Sequence, residues 1–179
     1  MTKKILILYG TETGNSELLA MDAEKMAKDN GLEPTINGMD EVSVAEIQEH
    51  NNLIVVCSTW GDGEQPDNAI ELYEATTEAA KGTFSNLNFA VLALGDTAFD
   101  LFCEAGIQWD DVLEQKGGNR INDRIDCDTD YDDEAEEWLE ETINMNVAGY
   151  RRIFHVMPDE FSQNTVLRNN VKKIGSAGK

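Results

Sequence analysis

The sequence predicts an α/β fold: one doubly wound parallel sheet with helices on both faces. Two observations carry this. Short apolar runs alternate with longer stretches of helical spacing, which makes five βα units. Three of the runs are continuously apolar and two are polar, and strands covered on both faces are the apolar ones. The polar second and fifth strands then lie at the edges, which fits the sheet order 2-1-3-4-5.

The elements follow in chain order. Ile5-Leu6-Ile7-Leu8-Tyr9 is an apolar strand ending at Gly10. Residues 15–30 carry Leu18, Leu19, Met21, Ala23, Met26 and Ala27 at helical spacing and stop before Gly31. Residues 33–37 read as a weaker, polar strand. Ser43, with Glu46 three residues on, is a capping box that opens a short helix over 43–50. Leu53-Ile54-Val55-Val56-Cys57 and Phe89-Ala90-Val91-Leu92-Ala93-Leu94 are buried strands, with a helix over 68–81 between them. A helix over 104–116 runs up to Gly117-Gly118. A weak last strand at 120–126 and a last helix at 132–144 complete the pattern.

The 179 residues suffice for one domain with a sizeable core, and the composition, 41% hydrophobic and 27% charged, is globular. No run is long and apolar enough to cross a membrane. The basic-then-apolar start, Met1 to Gly10, has too short an apolar run and no cleavage site for a signal peptide, so the expectation is a cytoplasmic protein. Cys57, Cys103 and Cys127 are odd in number and widely spaced, which argues against a disulfide framework or structural zinc. His50 and His155 have no partner pattern; neither a catalytic residue nor a metal site is expected.

Charge narrows the partners. The net charge is −21, and residues 151–179 hold six basic residues against two acidic ones. Residues 1–150 therefore carry 8 basic and 33 acidic residues, a net of −25. Such a body repels nucleic acid and membrane surfaces and attracts a basic partner protein, or it is an acidic surface kept for solubility. Asp126 to Glu141 holds ten carboxylates in 16 residues, either a docking face or a solvated last helix.

In an open α/β sheet ligands bind beyond the carboxyl ends of the strands. Three segments meet there: Gly10-Thr11-Glu12-Thr13-Gly14-Asn15-Ser16, Ser58-Thr59-Trp60-Gly61-Asp62-Gly63-Glu64, and Gly95-Asp96-Thr97-Ala98-Phe99-Asp100-Leu101-Phe102. The first is rich in hydroxyls and opens a helix, an anion site or a Ser/Thr-rich cap. It is neither Gly-x-Gly-x-x-Gly nor a Walker A loop, and no Lys or Arg lies between Lys4 and Lys25. Neutral donors and a helix dipole suit one held phosphomonoester better than a triphosphate with magnesium. Trp60 and Phe99 sit on loop tips, where two aromatics can sandwich a planar ring or serve as lids on the sheet's own edge.

Together these three segments resemble the FMN loops of flavodoxins, and most of all the flavodoxin-like FMN domain of diflavin reductases, the cytochrome P450 reductase and sulfite reductase flavoprotein group. The resemblance covers roughly residues 3–144 and is of the short-chain type, since 120–128 follows without a long insertion. It implies a flavodoxin-like five-stranded parallel sheet, order 2-1-3-4-5. It also implies FMN as cofactor. The phosphate would be held by Thr11, Glu12, Thr13, Gly14, Asn15 and Ser16. The ring would be bordered by Ser58, Thr59, Trp60, Gly61 and Asp62, and the third loop lined by Gly95, Asp96, Phe99, Phe102 and Cys103. The family usually has Tyr where Phe99 stands; stacking survives and the phenol's hydrogen bond is lost.

The function so implied is one-electron transfer from a flavoprotein reductase to an acceptor such as a metalloprotein. FMN would cycle mainly between semiquinone and hydroquinone, because Asp62, Glu64, Asp67, Asp96 and Asp100 disfavour further negative charge. The alternatives are an FMN-dependent NAD(P)H:quinone oxidoreductase, against which stands the lack of a nicotinamide site, and a receiver-type signalling domain, which needs acidic residues where Gly10-Thr11 stands. The expected organisation is a monomer with an FMN-binding domain over 1–146 and a basic tail or linker over 147–179. Within that tail, Val166 to Gly175 faintly resembles the linker into the FAD-binding part of diflavin reductases.

Overall fold

The computed structural model describes residues 3–148. The expected tail lies outside the described residues except for its first two positions, as do His155 and the stretch from Val166 to Gly175.

The chain runs β1 (Lys4–Gly10), α1 (Asn15–Asp29), β2 (Glu33–Gly38), α2 (Val44–Gln48), β3 (Asn52–Ser58), α3 (Ile70–Glu78), β4 (Asn88–Leu94), α4 (Glu104–Gln115), β5 (Asn119–Arg120), β6 (Ile125–Cys127) and α5 (Asp132–Ala148). The sheet is parallel, in the order β2-β1-β3-β4-β5, with β6 also on β4. This is the order expected from the polarity of the strands.

The central strands are apolar throughout because both of their faces are covered. Ile5, Ile7, Ile54, Val56, Ala90 and Leu92 point to one side and pack with Leu19, Ala23, Trp138, Leu139 and Ile143 of α1 and α5. Leu6, Leu8, Leu53, Val55, Phe89 and Val91 point to the other and pack with Ile47, Leu72, Trp109 and Leu113 of α2, α3 and α4. Successive residues alternate between faces, so a two-sided sheet shows no alternation in sequence. β2 tolerates Pro34 because it is an edge strand.

Local signals held where they were strong. Ser43 accepts from the Glu46 N–H, and the Glu46 carboxylate accepts from both the Ser43 N–H and its hydroxyl. Those bonds, the one from the Ser43 hydroxyl first, hold the Glu46 carboxyl below the usual carboxylate range.

The last strand differs from the single run expected at 120–126. It is broken into β5 and β6 by residues 121–124. The break is held by side chains remote in sequence. Arg120 forks onto Asp110 and Glu114 of α4, and Arg124 bridges Asp110 and Asp126. Asn122 donates to the Thr142 hydroxyl, and Trp138 donates to the Asp123 carbonyl. The helix expected over 68–81 is likewise shorter, because a 3₁₀ turn occupies Asp67–Ala69 and Ala79 turns extended. Among the described residues no helix is long and apolar enough to cross a membrane.

Candidate functional site

The three loops after β1, β3 and β4 enclose a cleft of about 530 Å³ at the carboxyl end of the sheet. Each wall is fixed by a different local device.

The first loop turns directly into α1. Gly14 caps the helix at φ +92° and contributes no side chain to the cap. A β-carbon is disfavoured at that φ, and Gly leaves the first-turn N–H groups open. Thr11 folds the loop by accepting the Gly14 N–H on its hydroxyl at 2.9 Å. Asn68 holds the loop from outside: its carbonyl accepts the Thr11 N–H at 2.8 Å and its amide donates to the Tyr9 carbonyl. Ser16 is fully buried, and its hydroxyl has no hydrogen-bond partner among the described residues. An orphaned hydroxyl beside unpaired helix N–H groups is what an anion at this helix end requires.

The second loop leaves β3 at Ser58, whose hydroxyl donates to the Gly10 carbonyl, joining it to the first strand. The Thr59 N–H donates to Leu94. Trp60 and Glu64 exchange backbone bonds of 3.0 and 2.8 Å, closing a tight turn with Gly61 at φ +53° and Gly63 at φ +102°. Trp60 stands half-exposed on that turn.

The third loop starts at Gly95, whose N–H donates to the Cys127 carbonyl. Thr97 donates from its N–H and its hydroxyl to Asp128. Those bonds, the hydroxyl's first, lower the Asp128 pKa below the ordinary carboxylate value. The Asp96 carboxylate accepts the Ala98 N–H and its carbonyl the Phe99 N–H, presenting Phe99 at 55% exposure.

The cleft brings together nine of the sixteen residues expected from sequence: Glu12, Thr13, Ser58, Thr59, Trp60, Gly61, Gly95, Asp96 and Phe99. Leu94 and Leu101 line it as well and were not singled out. Thr11, Gly14, Asn15 and Ser16 shape the helix end beside it, and Asp62 sits on the turn. Phe102 and Cys103 fold back over Gly95 rather than lining the cleft. Cys103 is buried, adopts φ +58°, and its thiol is pushed up to about 12, chiefly by burial. Asn68 was missed because no local pattern marks it; its role exists only once α3's leading turn lies against the first loop. Among the described residues no cluster of His, Cys, Asp or Glu could hold a metal.

This arrangement can hold a phosphomonoester at the α1 N-terminus and a planar ring between Trp60 and Phe99. The flavodoxin family model matches residues 7–141. The NADPH sulfite reductase flavoprotein alpha-component of Bacillus subtilis is 40% identical over 150 residues, 83% of this chain and 25% of that protein. The same component of Vibrio parahaemolyticus is 36% identical over 140 residues, 78% of this chain and 22% of that protein. The chain thus spans about a quarter of the length of these curated relatives. Among solved structures, a flavodoxin variant from Pseudomonas aeruginosa superposes with a TM-score of 0.72 at 28% identity, covering 82% of this chain and 99% of that one. Flavodoxin 2 from Bacillus cereus superposes with a TM-score of 0.70 at 26% identity, covering the same shares.

Proposed function

The chain belongs to the flavodoxin family, and from that premise we propose that it carries electrons one at a time from a flavoprotein reductase to an acceptor protein. FMN is its cofactor, and FMN supplies the one-electron chemistry. The observation that carries the reading is the buried Ser16 hydroxyl, without a partner among the described residues, at the α1 N-terminus beside a cleft lined by two exposed aromatics.

The residues divide the work. Ser16 and the first-turn N–H groups of α1 hold the phosphate without a cation. Trp60 and Phe99 flank the ring and shed water from its faces. Asp62, Glu64, Asp96 and Asp100 stand on the second and third loops, so negative charge gained in the cleft is raised in energy. That favours rapid onward release of an electron.

The partners follow from the surface. Five of the eight basic residues in 1–150 serve the fold: Lys3 and Lys116 donate to carbonyls near the ends of α5 and α3, Lys28 pairs with Glu24, and Arg120 and Arg124 hold Asp110. Nine of the ten carboxylates from Asp126 to Glu141 are exposed. A donor reductase and a metalloprotein acceptor with basic faces fit this surface. The proposed organisation is a monomeric, cytoplasmic FMN domain over 1–146 with a basic tail or linker beyond it. The much greater length of the flavoprotein relatives supports a linker into further domains.

The test is an anaerobic reductive titration of the purified chain followed by its visible spectrum, with apoprotein titrated by FMN and by FAD. The expected result is tight FMN binding, weak FAD binding and reduction in two one-electron stages. Equal affinity for FAD, or steady NADPH oxidation with a quinone and no second protein, overturns the reading.

A further inference from the structure

We propose that Gln65 is a positioning residue for the cofactor cleft, locking the Trp60–Glu64 turn onto α4 so that both ring-flanking aromatics are set by one helix end. This rests on the reading of the cleft as the FMN site. Gln65 is not part of the cleft lining. It is the residue that directly follows the turn, and its side chain reaches away from the cleft into α4.

The bonds form one directed chain. The Gln65 amide nitrogen donates to the Ala105 carbonyl at 3.2 Å and to the Gln108 side-chain oxygen at 3.0 Å. Its oxygen accepts the Trp109 indole N–H at 3.0 Å, and the Cys57 thiol lies 3.7 Å from that same oxygen. The polarity is set at both ends. Trp109 can only donate, so the Gln65 oxygen faces it. Gln108 donates its amide to Glu104, so its oxygen faces the Gln65 nitrogen. A carboxylate at 65 has no donor for Ala105, and an aliphatic side chain strands the fully buried Trp109 N–H.

The other side of the turn is fastened to the same helix. The Ala105 N–H donates to the Thr59 hydroxyl at 3.1 Å. Ala105 therefore binds the turn on both flanks, through its N–H before Trp60 and through its carbonyl after Glu64. The third loop, which carries Phe99, runs straight into α4 at Glu104. The start of α4 is thus the shared footing of Trp60 and Phe99, and Gln65 is the link that a carboxamide alone can make.

A purely structural role would be to satisfy Trp109, and the experiment separates the two. Gln65→Leu, Trp109→Phe and the double variant are prepared in the full chain. FMN affinity, the visible circular dichroism of bound flavin, the melting temperature, and hydrogen exchange at the Trp60 and Glu64 amides of the flavin-free chain are measured. Gln65→Leu is expected to weaken FMN binding by about tenfold, alter the flavin dichroism and speed exchange of both amides. The double variant removes the stranded N–H, so it recovers melting temperature while keeping the weakened binding and fast exchange. Its folding keeps the test valid if Gln65→Leu alone does not fold. Unchanged exchange at Trp60 and Glu64, or affinity that recovers along with stability in the double variant, overturns the proposal. Failure of the parent chain to bind FMN refutes the functional reading instead, and the exchange measurement still decides the anchoring.

Discussion

Replacing Ser16 by Ala should move two properties of this protein in opposite directions. The Ser16 hydroxyl is fully buried and has no partner among the described residues. A buried hydroxyl without a partner costs roughly 1–3 kcal/mol, and alanine removes that cost with little change of volume. The flavin-free Ser16→Ala protein should therefore be more stable by about 1 kcal/mol, a rise of roughly 2–4 °C in melting temperature for a domain this size. With FMN present the sign reverses. A hydrogen bond to a charged oxygen contributes about 1.5–3 kcal/mol, so FMN affinity should fall roughly ten- to a hundredfold. Thermal unfolding of apoprotein and fluorescence titration with FMN measure the two effects. Apoprotein that melts lower than wild type would show that Ser16 already has a structural partner. Unchanged FMN affinity would remove the hydroxyl from the phosphate site.

Other outcomes follow from the same geometry. A β-carbon at Gly63, already at φ +102°, would lie 2.6 Å from Leu101 Cδ1 and 2.9 Å from its Cβ, so Gly63→Ala should pry the second loop from the third. The backbone strain costs about 1–2 kcal/mol and the overlap about 1 kcal/mol or more. A double-mutant cycle with Leu101→Ala should return only the part of the overlap made by the Leu101 Cγ and Cδ1, since alanine keeps the Cβ, and FMN affinity within twofold of wild type would disprove the contact. Asp128 has a lowered folded pKa, so its hold on Thr97 is complete above the unfolded value of about 4 and is lost as pH falls through the folded one. FMN release on acidification should therefore be steeper below about pH 4 in wild type than in Asp128→Ala; identical profiles would release Thr97 from this role. Electron delivery to a basic partner should slow steeply as salt rises, because exposed charges are screened beyond about 8 Å at physiological ionic strength. A flat rate between low and high salt would make the acidic surface a solubilising one.

Most of the fold was legible because its information is local. The runs at Ile5–Tyr9, Leu53–Cys57 and Phe89–Leu94 are apolar at every position, which only a strand covered on both faces requires, and the structure divides their side chains between two cores. Ser43 and Glu46 announced a helix start that the structure realises bond for bond. Glycines, hydroxyls and the aromatics Trp60 and Phe99 marked the loops, since positive φ and exposed rings leave a signature in residue type. These are properties a residue shares with its near neighbours in the chain, so a sequence displays them.

What tertiary structure decided is the set of side-chain bonds between segments far apart in sequence. The last strand splits because Arg120 and Arg124 converge on Asp110 and because Asn122 and Asp123 are held by Thr142 and Trp138 of α5. Phe102 and Cys103 pack over Gly95 instead of facing the cleft, while Leu94 and Leu101 face it. Asn68 holds the first loop from 57 residues away, and Gln65, at the end of the second loop, fastens it to Ala105, 40 residues further on. Sequence alone determined the sheet, its order and the loops that enclose the cleft. The placement of each side chain within those loops was left to hydrogen-bond partners that folding brings within reach, and residue type alone does not name them.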